Sequence, residues 1–253
     1  MIASLFRRKP QRGEPRVPDG QRVYAVGDIH GRLDLLDRLI AAMRVDVMES
    51  DAHTVTWVFM GDYVDRGPRT REVVDRLLSI QGGEIETVFL KGNHEDALLN
   101  FLDAPETVWG DWRRFGGLET LMSYDIERTL LAGPKTDAQA IRDDFRRKMP
   151  GAHFAFFTEL KLSHAIGDYY FVHAGARPGI ALDRQAPHDK MWIRDEFLGD
   201  PDPGFDKVVV HGHTPCQKPE RTTARIGIDT GAYFTGKLTA AVFEGTTVRF
   251  LQT

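Results

Sequence analysis

Residues 55–67 read VTWVFMGDYVDRG, an apolar run that stops abruptly at Gly61 and is followed at once by Asp62. The same pattern stands at residues 23–31 (VYAVGDIHG) and at residues 87–95 (TVFLKGNHE). In each case a short run of β-type residues ends in glycine and then in a side chain that carries an oxygen or imidazole ligand atom. The pattern predicts strands that deliver such side chains to one edge of a sheet.

Two apolar runs further along the chain end in the same way, the run at 169–172 in His173 and the run at 208–210 in His211. The resulting group of side chains offers oxygen and nitrogen atoms but no thiolate, which suits Mn, Fe or Zn better than a structural zinc centre built on cysteine. Its members are Asp28, His30, Asp62, Asn93, His173 and His211. His213 could be a further ligand or support the others, and the sequence leaves this open.

Strands and helices alternate in the first hundred residues, which predicts βα units and a mostly parallel sheet with ligands at the carboxyl ends of its strands. The predicted elements are strands at 23–26, 55–60 and 87–90 and helices at 33–48, 70–80 and 95–101. Strand-like runs return at 169–172, 207–210, 225–228, 238–243 and 247–251. Residues 103 to about 160 contain no comparable run and are predicted to form a helical cap between the two metal-binding halves.

The composition is that of one large α/β domain, because 253 residues, 42% hydrophobic and 28% charged, are enough to bury a full core. A net charge of −4 provides no basic field, so nucleic acid is not an expected partner. No stretch approaches the ~20 apolar residues that cross a membrane, and the single cysteine, Cys216, is typical of a reducing compartment. We therefore expect a cytoplasmic protein with a flexible basic tail at residues 1–20 and one domain over 21–253.

Taken in order, the motifs G-D-x-H-G, G-D-x-V-D-R-G, G-N-H-E, H-A-G and G-H-T resemble those of the calcineurin-like metallophosphoesterases, and within them the bacterial serine/threonine protein phosphatases. The resemblance extends over roughly residues 22 to 250. It implies a βαβ sandwich of two mostly β layers flanked by helices, here with the helical cap inserted. It also implies two divalent metal ions, for which we expect Mn, with Fe or Zn as alternatives.

The resemblance also assigns the ligands. Asp28, His30 and Asp62 are expected to hold the first metal, and Asp62 bridges to the second. Asn93, His173 and His211 are expected to complete the second site. Two metals of this kind share a hydroxide that attacks the phosphorus.

Catalytic and substrate-binding residues follow from the same motifs. In the family a His-Asp pair protonates the leaving group, and His94 and Asp65 stand in its place. Arg66 is expected to clamp phosphoryl oxygens, and Arg194 fits best as a second arginine, with Arg177 and Arg184 as competitors. Lys91 stands where close relatives often carry arginine before G-N-H-E, and it is a weaker candidate for a phosphate contact.

These residues predict a metal-dependent phosphomonoesterase, foremost a serine/threonine protein phosphatase, acting on a phosphoprotein or a small phosphoester. The alternative is a symmetrical bis(5'-nucleosyl)-tetraphosphatase, whose members typically lack the Asp65 equivalent and carry aspartate in place of Glu95. Polynucleotide end processing is disfavoured by the acidic charge balance, and a non-catalytic binding module by the intact ligand set. The sequence leaves the oligomeric state open.

Overall fold

A computed structural model describes residues 13–131 and 136–253, which form two five-stranded mixed β-sheets flanked by helices. This confirms the predicted α/β sandwich. The strands are β1 (Gln21–Val26), β2 (Thr54–Phe59), β3 (Glu86–Phe89), β4 (Ser163–Ile166), β5 (Tyr169–Val172), β6 (Val208–His211), β7 (Glu220–Arg221), β8 (Arg225–Gly227), β9 (Thr239–Glu244) and β10 (Thr247–Gln252).

The helices before β4 are α1 (Leu33–Met48), α2 (Thr70–Ile80), α3 (Asn93–Asp103), α4 (Pro105–Trp112), α5 (Leu118–Ser123), α6 (Arg128–Leu131), α7 (Ala138–Lys148) and α8 (Gly151–Glu159). A wide turn of the π type, Arg113–Gly117, joins α4 to α5, and a 3₁₀ turn spans Leu182–Arg184. Three short helices, α9 (Pro187–Trp192), α10 (Asp195–Leu198) and α11 (Ala232–Thr235), lie in the loops of the second half.

The first sheet has the order β10-β9-β1-β2-β3, and its inner strands β1 and β9 are buried on both faces. Side chains alternate between the two faces of a strand, so Tyr24 and Val26 of β1 pack against helices while Val23 and Ala25 pack against the second sheet. Burial on both faces explains why these strands are apolar throughout instead of alternating with polar residues.

The second sheet has the order β4-β5-β6-β8-β7. Its central strands β5, β6 and β8 are parallel to one another, as are β1, β2 and β3 in the first sheet. The remaining four strands are antiparallel to their neighbours, so the expected mostly parallel order holds only for three strands of each sheet, at one side of the first sheet and at the centre of the second. The carboxyl ends of the parallel strands carry the predicted ligands.

The predicted cap is helical: α4 to α8 occupy most of its described residues. Its core is aromatic, with the ring of Trp112 4.6 Å from Phe101 of α3 and 6.3 Å from Phe145 of α7, measured between centroids. The same buried cluster includes side chains of α1 and α2. The cap therefore shares one core with the helices that cover the first sheet, and it is packed firmly against the strand-end loops.

Residues 16 and 17, which were predicted to belong to a flexible tail, are attached to the fold. Val17 is fully buried, and its N–H donates to the carbonyl of Gly245 at 3.0 Å. The N–H of Arg16 likewise donates to a carboxylate oxygen of Asp168 at 3.0 Å. The prediction of a free tail is thus wrong for the residues around Val17, because an apolar side chain here joins the core between the sheets, and residues 1–12 lie outside the described part.

None of the helices in the described ranges is long and apolar enough to cross a membrane.

Candidate active site

The loops after the parallel strands have an unusual backbone. Six non-glycine residues of the described chain have positive φ angles between 47° and 69°, a region that costs an L-residue roughly 1–2 kcal/mol. Five of them lie at the strand ends, namely His30, Asp62, Asp65, Arg66 and His213, and the sixth is Asp125. Strain of this kind persists where the surrounding structure enforces it, and it concentrates at functional sites.

Asp62 is at the centre of the site. Its carboxylate lies 3.4 Å from Nε2 of His173, 3.6 Å from Nε2 of His30 and 3.9 Å from Nε2 of His94. Burial by itself would raise the pKa of Asp62, but the imidazoles of His173, His94 and His30 hold it well below its ordinary value. Asp62 therefore stays ionised. Its Oδ2 faces His30 and His94 and its Oδ1 faces His173, as expected of a bridging ligand.

Two of these histidines are oriented by backbone carbonyls. Nδ1 of His30 lies 2.8 Å from the carbonyl oxygen of Val64, and Nδ1 of His173 lies 2.8 Å from that of Met60. A proton on Nδ1 satisfies each carbonyl and leaves the Nε2 lone pair directed at the site, the arrangement found in metal-binding histidines. Nε2 of His173 also lies 3.0 Å from Oδ1 of Asn93, which brings this predicted ligand into the same cluster.

Asp28 lies at the far side of the cluster. Both of its carboxylate oxygens accept the N–H of His213, at 3.0 and 3.2 Å. Burial, followed by repulsion from Asp229 and Asp62, raises the pKa of Asp28 well above its ordinary value, and burial raises that of Asp229 to about 6. Carboxylates crowded together in this way favour a bound cation, which would neutralise their mutual repulsion.

The structure separates the two histidines that the sequence could not. Nε2 of His211 and Nε2 of His213 are both buried without a hydrogen-bond partner in the described chain, but of the two only His213 forms a possible metal-binding group with Asp62 and His173. Burial lowers the pKa of His213 to about 2, which keeps its ring neutral and able to donate a lone pair. His213 is therefore placed as a ligand would be.

His211, by contrast, is outside the cluster. Its ring packs against Phe197 with centroids 5.1 Å apart, and it lies so close to Gly227 of β8 that a Cβ there would be 3.2 Å from the ring. His211 still belongs to β6, whereas the chain beyond it turns at His213, with φ of 64°, and directs that ring towards Asp62. The geometry therefore favours His213 over the predicted ligand His211, and which of the two binds a metal stays a prediction.

The predicted acid pair is formed. Nδ1 of His94 donates to Oδ2 of Asp65 at 2.6 Å, and Nη2 of Arg66 lies 3.1 Å from Nε2 of the same ring. Burial opposes protonation of His94, but the carboxylates of Asp62 and Asp65 outweigh it and raise its pKa. Asp65 is fully buried and accepts two further hydrogen bonds, from Nε1 of Trp112 at 3.0 Å and from Oγ1 of Thr120 at 2.7 Å.

The two predicted phosphate-binding arginines lie on opposite sides of the cluster. Besides its contact with His94, Arg66 stacks over the ring of Tyr233, with Cζ 4.7 Å from the centroid. Nη1 of Arg194 donates to the carbonyl of His213 at 3.3 Å and to Oγ1 of Thr214 at 3.1 Å. Arg66 therefore lies beside the predicted acid His94, and Arg194 lies beside His213.

Two other candidate cations, Arg177 and Lys91, form ion pairs. Arg177 forms a two-point ion pair with Asp189, at 2.7 and 2.8 Å, which favours Arg194 as the second arginine. Nζ of Lys91 donates to Oδ1 of Asp96 at 2.8 Å. Lys91 is thus held by an ion pair, and a role in binding phosphate stays a prediction.

Sequence reasoning missed how Glu95 supports the site. Its buried carboxylate accepts four backbone N–H groups, from Asp62 (2.9 Å), Tyr63 (2.8 Å), Val64 (3.3 Å) and Gly92 (2.9 Å). Glu95 thereby ties the loop after β2 to the start of α3. The signal was present, because glutamate at the third position of a helix is typical of a capping box.

Gly92, the residue before α3, shows how closely these two loops approach. A Cβ at this position would lie 2.1 Å from Oδ1 of Asp62, so only glycine is compatible with the packing. The close contact with Asp62 therefore requires glycine at this position of G-N-H-E, and it allows Asn93 and His94 to follow directly beside Asp62.

A two-sheet α/β sandwich with buried carboxylates and imidazoles at its strand ends has the site of a metal-dependent phosphoester hydrolase. The chain belongs to one such family, the calcineurin-like phosphoesterases, whose family model matches residues 21–240.

Among curated proteins, the chain is similar to the bis(5'-nucleosyl)-tetraphosphatase PrpE [asymmetrical] of Anoxybacillus flavithermus, with 27% identity over 85% of this chain and 87% of that protein. It is also similar to the serine/threonine-protein phosphatase rdgC of Drosophila melanogaster, with 41% identity over 81 residues, 32% of this chain and 12% of that protein. Among solved structures, a protein serine/threonine phosphatase from Saccharomyces cerevisiae shares the fold, with a TM-score of 0.56, 15% identity and coverage of 94% and 84% of the two chains.

Proposed function

We propose that this protein is a metal-dependent phosphomonoesterase that hydrolyses phosphate esters with poor leaving groups, foremost phosphoserine and phosphothreonine in proteins. The observation that supports this most is the buried pair of His94 and Asp65, 2.6 Å apart, beside the Asp62 cluster. An alkoxide such as serine must be protonated as it departs, and a histidine oriented by a carboxylate is suited to this task.

The residues fit two divalent metals, because the donors are oxygen and neutral nitrogen, a buried Nε2 of His213 has no partner among the described residues, and the carboxylates repel one another. We propose Asp28, His30 and Asp62 for one ion and Asp62, Asn93, His173 and His213 for the other, with Mn as the metal. When bound, such ions would supply a nucleophile at neutral pH and neutralise the phosphoryl oxygens.

The remaining steps fall to the protein's side chains. Arg66 and Arg194 bind phosphoryl oxygens from opposite sides, and their planar guanidinium groups suit two-point contacts. When a phosphate draws Arg66 away from His94, Nε2 of His94 becomes free to carry the proton for the leaving oxygen. Asp65 keeps the ring oriented and stabilises its positive charge.

A second candidate is an asymmetrical bis(5'-nucleosyl)-tetraphosphatase, which the PrpE relatives favour because they match nearly the whole chain. The sequence suggested the symmetrical activity as the alternative, whereas the PrpE relatives support the asymmetrical one. Tyr233 and Phe234 also support a nucleotide, since they are 38% and 61% exposed and a base can stack on their rings. Tyr233 lies against Arg66, and Phe234 packs on Tyr233.

The test compares a phosphoserine peptide with diadenosine tetraphosphate, using metal-free protein to which Mn is added back. Phosphate released from the peptide alone supports the phosphomonoesterase, whereas AMP and ATP as the only products support the asymmetrical tetraphosphatase. Two molecules of ADP would indicate symmetrical cleavage. Absence of turnover on both substrates, with metal bound, would refute both proposals.

A variant of the acid refines this test. We expect His94→Asn to keep its metal and to lose about 10²–10⁴-fold in kcat on the peptide. The loss on p-nitrophenyl phosphate should be much smaller, because nitrophenolate leaves with little protonation. Equal losses on the two substrates would contradict the role of His94 as the acid.

A further inference from the structure

The helical cap reaches the acid pair directly. Nε1 of Trp112, at the end of α4, donates to Oδ2 of Asp65, and Oγ1 of Thr120, in α5, donates to Oδ1. We propose that Trp112 and Thr120 are positioning residues, which fix the carboxylate of Asp65 and through it the orientation of the His94 ring. This inference rests on the proposed function of His94 as the acid.

The Asp65 carboxylate depends entirely on these protein donors. It is fully buried, Oδ2 accepts both His94 and Trp112, and Oδ1 accepts Thr120. Oγ1 of Thr120 also accepts the N–H of Asp65 at 2.8 Å, so one hydroxyl holds both the side chain and the backbone of this residue. If either cap residue loses its donor, the carboxylate can rotate away from the position that aligns His94.

The two cap donors are themselves held rigidly. Trp112 is 2% exposed and packs against Phe101, and Thr120 is fully buried with its hydroxyl 3.3 Å from that of Thr70. A catalytic group keeps its geometry when the groups that support it have no alternative rotamers. The cap thus provides fixed support for Asp65.

The turn Arg113–Gly117, which lies between Trp112 and Thr120, contacts Arg66, the residue after Asp65. The N–H of Arg66 donates to the carbonyl of Gly116 at 3.1 Å. Gly116 has a φ of 106°, and a Cβ there would lie 2.4 Å from the backbone nitrogen of Arg66. The cap therefore contacts two consecutive residues of the loop after β2: Asp65, the partner of His94, and Arg66, the predicted phosphate ligand.

Trp109 is a matched control for Trp112. It lies in the same helix and also packs on Phe101, with centroids 5.6 Å apart, and it is 7% exposed. Its Nε1 has no hydrogen-bond partner among the residues described. Trp109→Phe and Trp112→Phe therefore remove the same atoms from the same aromatic core, but only the second removes a donor to Asp65.

The kinetic test measures kcat and KM of both variants on a phosphoserine peptide and on p-nitrophenyl phosphate. For Trp112→Phe we expect kcat on the peptide to fall about tenfold or more, part of the 10²–10⁴-fold effect of a general acid, with KM unchanged and a smaller fall on nitrophenyl phosphate. Trp109→Phe should leave both within about twofold. Equal effects of the two variants, or equal losses on the two substrates, would overturn the proposal.

Thr120 is tested by two substitutions. Thr120→Val removes the hydroxyl and keeps the shape, and it should reproduce the loss of Trp112→Phe on the peptide. Thr120→Ser restores the hydroxyl and should recover activity to within about threefold of the parent. If serine does no better than valine, the hydroxyl is not what matters.

A measurement without turnover separates this proposal from the proposed function. The chain has four tryptophans, so the metal-free protein has four indole N–H signals in a ¹H–¹⁵N spectrum, and Trp112→Phe identifies one of them. Asp65→Asn should shift this signal and leave that of Trp109 in place. An unmoved Trp112 signal would refute the contact itself, even in a protein that hydrolyses no phosphomonoester.

Discussion

Glu95→Gln tests whether the loop after β2 is held by the Glu95 carboxylate. In the native protein each oxygen of Glu95 accepts two backbone N–H groups: Oε2 those of Asp62 and Gly92, Oε1 those of Tyr63 and Val64. Glutamine has the same shape but carries an NH₂ group in place of one oxygen. In either orientation of the amide, this group faces two N–H donors that it cannot accept.

The expected loss of stability follows from the two N–H donors that are left without an acceptor. A buried donor that loses its partner costs about 1–3 kcal/mol, so two such donors cost about 2–6 kcal/mol of unfolding free energy. For a chain of this length, each kcal/mol lowers the melting temperature by about 2–4 °C. We therefore expect the melting temperature to fall by at least about 4 °C.

The assay is urea unfolding and thermal melting of the metal-free protein, so that loss of metal does not enter the comparison. Glu84→Gln, at an exposed glutamate before β3, makes the same chemical change without buried partners and should stay within about 0.5 kcal/mol of the parent. A Glu95→Gln variant as stable as the Glu84→Gln control would refute the proposed support.

Three further outcomes are expected. His213→Asn should weaken Mn binding about 100-fold or more, while His211→Asn should change it by less than about tenfold, both measured by calorimetric titration. Burial would raise the pKa of Asp46, but hydrogen bonds such as that from Arg249 lower it overall. The stability that ionised Asp46 contributes is therefore present above its unfolded pKa of about 3.9, and it is lost as the pH falls through the lower folded pKa. Asp46→Asn should therefore cost about 1–3 kcal/mol at pH 7 and progressively less below pH 4 in urea unfolding. If the dinucleotide is the substrate, Phe234→Ala should raise its KM about 5- to 150-fold, corresponding to about 1–3 kcal/mol of stacking, with no change in KM for a phosphoserine peptide.

The strand and helix pattern of the first hundred residues was readable from the sequence because its apolar periodicities are strong. The helices predicted at 33–48 and 70–80 begin and end as predicted. The edge strands of the second sheet were missed, since β4 has a polar, half-exposed sequence and β7 has only two residues. Their pairing depends on neighbouring strands and leaves little trace in local sequence.

At the site, the types of the ligand residues were predictable, but the orientations of His211 and His213 were not. His211 and His213 are two residues apart, a spacing that would place both on the same face of a continuing strand. The left-handed turn at His213 breaks that rule, and a single sequence does not show such a turn at a non-glycine residue. The partners of Asp65 from the cap were equally hidden, because Trp112 and Thr120 lie 47 and 55 residues away in the chain.

The positive φ angles at the strand ends imply that the site opposes the stability of the fold. At His30, Asp62, Asp65, Arg66 and His213, glycine would adopt the same backbone without the steric cost of a Cβ. At Asp65 the buried hydrogen bonds from Trp112 and Thr120 oppose this replacement. Nε2 of His213 has no partner in the described chain, so a library selected only for heat resistance should accumulate glycine or asparagine at that position. Thermostable variants obtained in this way would progressively lose activity, so any screen for stability of this protein also has to measure activity.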